Sequence, residues 1–315
     1  MVASLKSQYR LADLLQAAGL ARSTFYYHQA RLDAPDKHAG LKREIKTVFD
    51  QSHARYGHRR VRLALKRQGI CVSRKLVAKL MKQEHLVCQV RKKKRYNSYR
   101  SNQSNAAGNV LNRDFTATKP NQKWVSDVTE FRVGNQKLYL SPIIDLYDHS
   151  VISYSISASP NLELTNSSLR KALHQAQPGP GMIMHTDQGF QYQHHSWKAL
   201  LANYNATQSM SRKGNCHDNA IAENFFAHLK AELFYQQAFT NTEDLANQIQ
   251  DYIHWYNNQR IQQRLEGMTP NKYRNHGLSS KKCVWSACCR RAHFYLRGSF
   301  LIPMEWLYSV GIALS

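Results

Sequence analysis

The stretch KWVSDVTEFRVGNQKLYLSPIIDLYDHSVISYSIS, residues 123–157, decides the fold. Three runs rich in Val, Ile, Tyr and Phe, over 123–133, 137–146 and 151–157, read as β-strands. The breaks near Gly134 and Asp148 are short, so neighbouring strands are expected to pair as antiparallel hairpins. Downstream, an amphipathic helix is expected over 162–176, ended by the PGPG turn at 178–181. A short buried strand over 182–185, a helix over 196–205 and a strand over 207–210 follow, and helices over about 220–235 and 242–259 close the run. Elements in this order describe an α/β layer domain over 121–275.

Three acids sit in distinctive surroundings within it. Asp127 lies in the first β-rich run, Asp187 closes the apolar run IMHTD, and Glu223 falls in a helical pattern. Separate elements can therefore bring three carboxylates to one point. Like charges gathered so closely resist common ionisation unless cations join them. Hard oxygen ligands suit Mg²⁺ or Mn²⁺, and two such ions would activate an attacking oxygen and steady a leaving one, as phosphoryl transfer requires. Neither a Cys nucleophile nor a Ser-His pair stands in a comparable context. On residues alone, Glu130, Asp145, Asp148 and Asp218 compete for the same roles.

Upstream of the α/β region the pattern is helical and basic. In segment 1–35, Leu11, Leu14, Leu15 and Ala18 share a helical face, Gly19 offers a turn, and Ser23 can cap a second helix. This is helix-turn-helix grammar, with Ser23, Thr24 and Tyr26 placed to face a DNA groove or backbone, although a plain two-helix hairpin reads the same way. Segment 36–90 reads as a second helical domain. Arg59, Arg60, Arg62, Lys66 and Arg67 make either a phosphate-binding ridge or a solvated helix face. Residues 91–120, opening RKKKRYNSYR, read as a basic flexible linker.

Charge follows this division. Residues 1–120 hold 26 basic and 7 acidic side chains, 121–275 hold 13 of each, and 276–315 hold 5 and 1. An excess concentrated in the N-terminal region implies a polyanion partner, nucleic acid first, because neutralising phosphates releases counterions. Lys6, Arg10 and Asp13 interrupt any signal peptide. The apolar stretch 300–314 contains Pro303 and Glu305 and falls short of the roughly 20 residues of a spanning helix. The six cysteines, at 71, 88, 216, 283, 288 and 289, form no CxxC pair, so reduced thiols are expected, and Cys283, Cys288, Cys289 and His293 fit no common zinc spacing.

WVSDVTEF, KLYLSPIIDL, VISYSIS, HTDQGFQY, QSMSRKGNCHDNAIAENFFAHLK and YNNQRIQQRLEGMTPNKYR together resemble the integrase-type transposases of bacterial insertion sequences, more narrowly the OrfB product of the IS-three family. The likeness runs from residue 1 to about 275, because ARSTFYYH and RYGHRRV resemble its N-terminal helical domains. It implies a ribonuclease-H-like, retroviral-integrase-like core whose Asp-Asp-Glu triad, here Asp127, Asp187 and Glu223, binds two divalent ions. The 35 residues between Asp187 and Glu223 match the family spacing. Lys230 matches a basic position used near the bound DNA end. Arg212 and Lys213 fall in a loop suited to DNA approach, and Asn219, on the Glu223 side of its helix, is expected to contact DNA.

The chemistry implied is metal-dependent cleavage of one strand at an element end, then direct attack of the freed 3′-hydroxyl on another phosphodiester. The implied partners are double-stranded DNA, both inverted-repeat ends and target, and further copies of the chain assembled on it. The implied location is the bacterial cytoplasm, at the nucleoid and off the membrane. Family members commonly fuse this product by frameshifting to an upstream OrfA-type protein. This chain shows no zipper heptads, so it is expected to be the downstream product alone. Residues 276–315 match nothing in the family and are expected to be an atypical extension. A non-catalytic DNA-binding regulator and a structure-specific nuclease are the rival functions.

Overall fold

A computed structural model describes residues 2–33, 35–88, 107–212 and 216–277. The first part of the expected linker, Lys213, and the 278–315 tail with its cysteine-histidine set lie outside the described residues. The chain divides into two compact units, residues 1–88 and 89–315. No helix among the described residues is long and apolar enough to cross a membrane.

The first unit is all helical: α1 (Val2–Leu5), α2 (Leu11–Ala17), α3 (Arg22–Asp33), α4 (Ala39–Gln51), α5 (His58–Arg67) and α6 (Arg74–Gln83). Apolar residues at helical spacing make one inward face on each of the last three, where Ile45, Val48, Val61, Leu65, Val77 and Leu80 are buried. Ser73 caps α6, its Oγ accepting the Leu76 N–H at 3.1 Å. Ser23 does not play that part for α3. The helix begins at Arg22, so Ser23 lies inside its first turn, while Phe25 is buried and Tyr26 and Tyr27 stay exposed.

The second unit is built on a six-stranded mixed sheet. Its strands are β1 (Lys123–Ser126), β2 (Thr129–Val133), β3 (Gln136–Asp145), β4 (Val151–Ser157), β5 (Ile183–Thr186) and β6 (Thr207–Met210). The expected hairpins are present, with β2 antiparallel to β3 and β3 antiparallel to β4. The first run, expected as one strand, is two. Both lie along β3 in a single register, Trp124 opposite Asp145 and Thr129 opposite Leu140, so Asp127 falls opposite Pro142. Proline has no N–H to give to a neighbouring strand, and the ladder breaks at that point. Beyond β1 the sheet turns parallel, β5 pairing β1 and β6 pairing β5.

Helices cover both faces. α7 (Leu162–Ala176), α8 (Phe190–Gln193) and α9 (His195–Ala202) enclose Trp124, Ile143, Leu169, Leu173, Met184, Trp197 and Met210 on one side. Burying an aliphatic or aromatic side chain of this size contributes about 1.5–3 kcal/mol. α10 (Ala220–Glu232) meets β1, and α11 (Thr242–Asn258) meets β3 and β4. Strand alternation puts these contacts on the opposite face, because neighbouring residues such as Val125 and Ile144 point away from Trp124 and Ile143. The result is the expected α/β layer architecture behind an N-terminal helical region.

The C-terminal motif residues lock this arrangement. Arg260 is 2% exposed and grips Glu232 of α10 with two bonds, Nε to Oε2 at 2.8 Å and Nη2 to Oε1 at 2.6 Å, while the Tyr252 hydroxyl donates to the same carboxylate. Asn257 closes both backbone groups of Val151 at the edge strand β4, accepting its N–H at 3.0 Å and donating to its carbonyl at 2.9 Å. Residues 107–120, counted with the linker in the sequence, lie on this unit: Leu111 is buried, and its N–H donates to the Ser209 Oγ of β6.

Candidate active site

Asp127 and Asp187 follow directly on β1 and β5. These strands are parallel neighbours with Val125 beside His185, so the same register continued puts the two carboxylates level at one end of the sheet. Adjacent strands run about 4.8 Å apart. Trp124 and Met184 belong to the core under α7 and α9, and alternation turns the two acids to the other face, where α10 lies. That helix buries Ala222, Phe225, Phe226 and Leu229 and leaves Glu223 exposed in its first turn, the end at which the helix dipole favours negative charge.

The electrostatics agree with that placement. Burial, and then the neighbouring Asp187, push the Asp127 carboxyl up to about 7, and Glu223 acts in the same direction. The Val128 N–H and the Lys230 ammonium pull it down. Burial also raises Asp187, against the Gly189 N–H that donates to its Oδ1 at 2.9 Å. Gly189 is fitted to this contact, since a Cβ there would stand 3.0 Å from that oxygen. Beneath the acids the buried Tyr192 hydroxyl lies 3.4 Å from the Ser126 Oγ.

Among the described residues, no three acidic, histidine or cysteine side chains already stand at the spacing that ligates one ion. In kind the three acids nonetheless suit a divalent cation. Three hard oxygen donors come from two strand ends and one facing helix, and burial with the neighbouring Asp187 holds the Asp127 carboxyl well above the usual carboxylate range.

The four competing acids have other work. Glu130 takes Lys137 and Tyr139. Asp145 and Asp148, both fully buried, share Arg274. Asp218, also fully buried, takes Arg113, Arg212 and Asn109.

Asn219 is a correction. Expected on a DNA-facing surface, it is 4% exposed, and its amide donates to the Ser126 carbonyl at 3.2 Å, one residue before Asp127. It braces the start of α10 against the end of β1. Lys230 is half-buried with its ammonium 5.2 Å from the Phe131 ring centre, on the acids' side of the helix. Arg212 is exposed but committed on one edge to Asp218. Arg59 is exposed on α5, and Arg60 lies over the Tyr56 ring at 5.8 Å. Ser23 and Tyr26 are exposed and Thr24 is half-buried. The sequence reading missed Arg113, Tyr192 and Arg274 as parts of the framework, because nothing in local spacing shows a residue bonding to a partner 66 to 126 positions away.

Family models for an integrase core domain match residues 117–216 and 223–278, and one for an HTH-like domain matches residues 35–94, downstream of the 1–35 hairpin. The chain is 46% identical over 271 residues to "Putative transposase InsK for insertion sequence element IS150" of Escherichia coli K12, covering 86% of this chain and 95% of that one. It is 39% identical to "Probable transposase for insertion sequence element IS1353" of Shigella flexneri, covering 87% of this chain and 54% of the other. It is 31% identical to "Transposase InsF for insertion sequence IS3A" of E. coli K12, with 87% and 97% covered.

Proposed function

The chain belongs to the integrase-core transposases of bacterial insertion sequences, and on that premise we propose that Asp127, Asp187 and Glu223 are the metal-binding, catalytic carboxylates of a DNA strand-cleaving and strand-joining enzyme. The observation that carries this reading is the level placement of Asp127 and Asp187 on parallel neighbouring strands, with Glu223 near enough to raise the Asp127 carboxyl. Two Mg²⁺ or Mn²⁺ ions, when bound, would neutralise the scissile phosphate and make water or a 3′-hydroxyl a competent nucleophile.

The chain's own residues prepare for that. Asp127 gives up its proton as positive charge arrives. Gly189 fixes the Asp187 carboxylate through its N–H. Asn219 holds α10 to the end of β1, and the Glu232–Arg260 pair anchors the other end of the helix, so Glu223 approaches from a braced element. Lys230 and the surface arginines of α5 offer charge to DNA phosphates. The partners proposed are double-stranded DNA, as element ends and as target, and further copies of this chain to hold two ends together. An upstream OrfA-type protein is the auxiliary to include when activity is assayed.

A strand-transfer assay with inverted-repeat ends and Mg²⁺ tests the reading. D187N and E223Q are each expected to bind DNA normally and to fall below about one hundredth of wild-type joining, the scale on which loss of one electrostatic contributor slows such chemistry. Joining that survives in D187N would overturn the assignment. Cutting without joining in the wild type would favour a nuclease, and binding alone a regulator.

A further inference from the structure

Asp218 lies five residues before Glu223 and is fully buried, yet it collects more positive charge than it can neutralise. Arg113 donates from Nε to Oδ1 at 2.7 Å. Arg212 donates from Nε to Oδ2 at 2.9 Å and from Nη2 to Oδ1 at 3.1 Å, and its backbone N–H adds a bond of 3.1 Å. The Asn109 amide supplies one more, at 3.1 Å. One carboxylate thus holds two guanidinium groups, a local surplus of one positive charge.

Both arginines are spent only on one edge. Arg113 engages through Nε alone, so among the described residues its two terminal nitrogens have no acceptor, and Arg212 likewise keeps Nη1. Their side chains are 45% and 55% exposed. Arg212 already meets both Asp218 oxygens side-on, whereas Arg113 uses one nitrogen, and a cluster that served only to fasten residues 109–113 to the core would bury the remaining guanidinium edges. Here a buried acid orients two planar donor forks whose unused edges meet solvent, the arrangement that suits a tetrahedral phosphate. The cluster adjoins the active site through Asn219, next in sequence to Asp218 and bonded to the Ser126 carbonyl before Asp127.

We propose that Arg113 and Arg212, held by Asp218, form a binding site for a backbone phosphodiester of DNA beside the catalytic carboxylates. This rests on the DNA-transposing function proposed above and adds to it a specific contact, with one arm in the segment 108–113 that is bonded to the same unit. The contact is to phosphate and carries no base preference, so it positions DNA and does not select its sequence.

Fluorescence anisotropy of the full chain with a labelled duplex of random sequence, titrated between about 50 and 200 mM salt, tests it. R113Q is expected to reduce the steepness of log affinity against log salt by about 0.9, and to weaken binding several-fold at the upper salt, as loss of one phosphate contact does. R212Q is expected to behave alike. R113K, which keeps the charge without the fork, is expected to restore most of the steepness but not the affinity. Melting curves accompany each variant, and if R113Q fails to fold, R212Q on the other segment decides. Unchanged steepness and affinity in a folded variant would overturn the site and leave the arginines a fastening role. D187N runs in parallel: retained joining there sinks the triad assignment without touching the phosphate site, whereas an unaltered R113Q sinks the site without touching the triad.

Discussion

Asp127 shows how a single side chain is set by its surroundings. Its carboxyl titrates near 7 instead of 3.8, because burial and two neighbouring acids disfavour its charge. Between roughly pH 4 and 7 the folded, metal-free protein keeps a proton that the unfolded chain has released, so its stability falls as pH rises through that window. D127N removes this dependence. In chelator its melting temperature is expected to match wild type near pH 4 and to exceed it by several degrees at pH 8. A difference between the two proteins that does not change with pH would count against the shift. Added Mg²⁺ is expected to reverse the order at pH 8 by stabilising wild type alone. The sequence singles out the three acids by their motif contexts and the family likeness. Asn219 was misread, since sequence spacing gives the face of a helix but not what covers its first turn.

At the scale of elements, the strands and long helices were read almost in place, because period-2 runs and apolar faces are local patterns. The β1–β2 break was not. Its cause is Pro142, which stands opposite Asp127 only once β3 has folded back along the first run. The clamp on the turn between β3 and β4 was equally hidden. Arg274, in the helical stretch 270–277, bonds Asp148 from Nε at 2.6 Å and reaches Asp145, Asn121 and Ser150 as well. Burial and the neighbouring Asp148 already raise Asp145 to about 6. R274A would leave two buried carboxylates without their cation and is expected to cost about 3–5 kcal/mol of stability in denaturant melts at pH 7. The loss should shrink toward pH 5, where the raised Asp145 takes up a proton. A loss below about 1 kcal/mol would mean that the pair is dispensable.

For the whole molecule, the division at residue 88 falls inside the basic region, leaving 18 basic and 6 acidic side chains in the first unit. Expressed separately, residues 1–88 are expected to bind duplex DNA with a steep salt dependence, and residues 107–277 to melt cooperatively and bind with a shallow one. A shallow dependence in the first piece would place the main DNA contacts elsewhere. The sequence by itself determined the helical and α/β parts and the basic and neutral regions, because composition, periodicity and contiguous motifs are properties of neighbouring residues. Only the tertiary structure shows what the competing acids are engaged with. Glu130, Asp145, Asp148 and Asp218 are as acidic in sequence as the triad, but each meets a cation brought to it by folding. It also decided that residues 108–113 belong to the catalytic unit. Both outcomes depend on contacts between residues far apart along the chain, formed when strands take their register, and no local pattern encodes them.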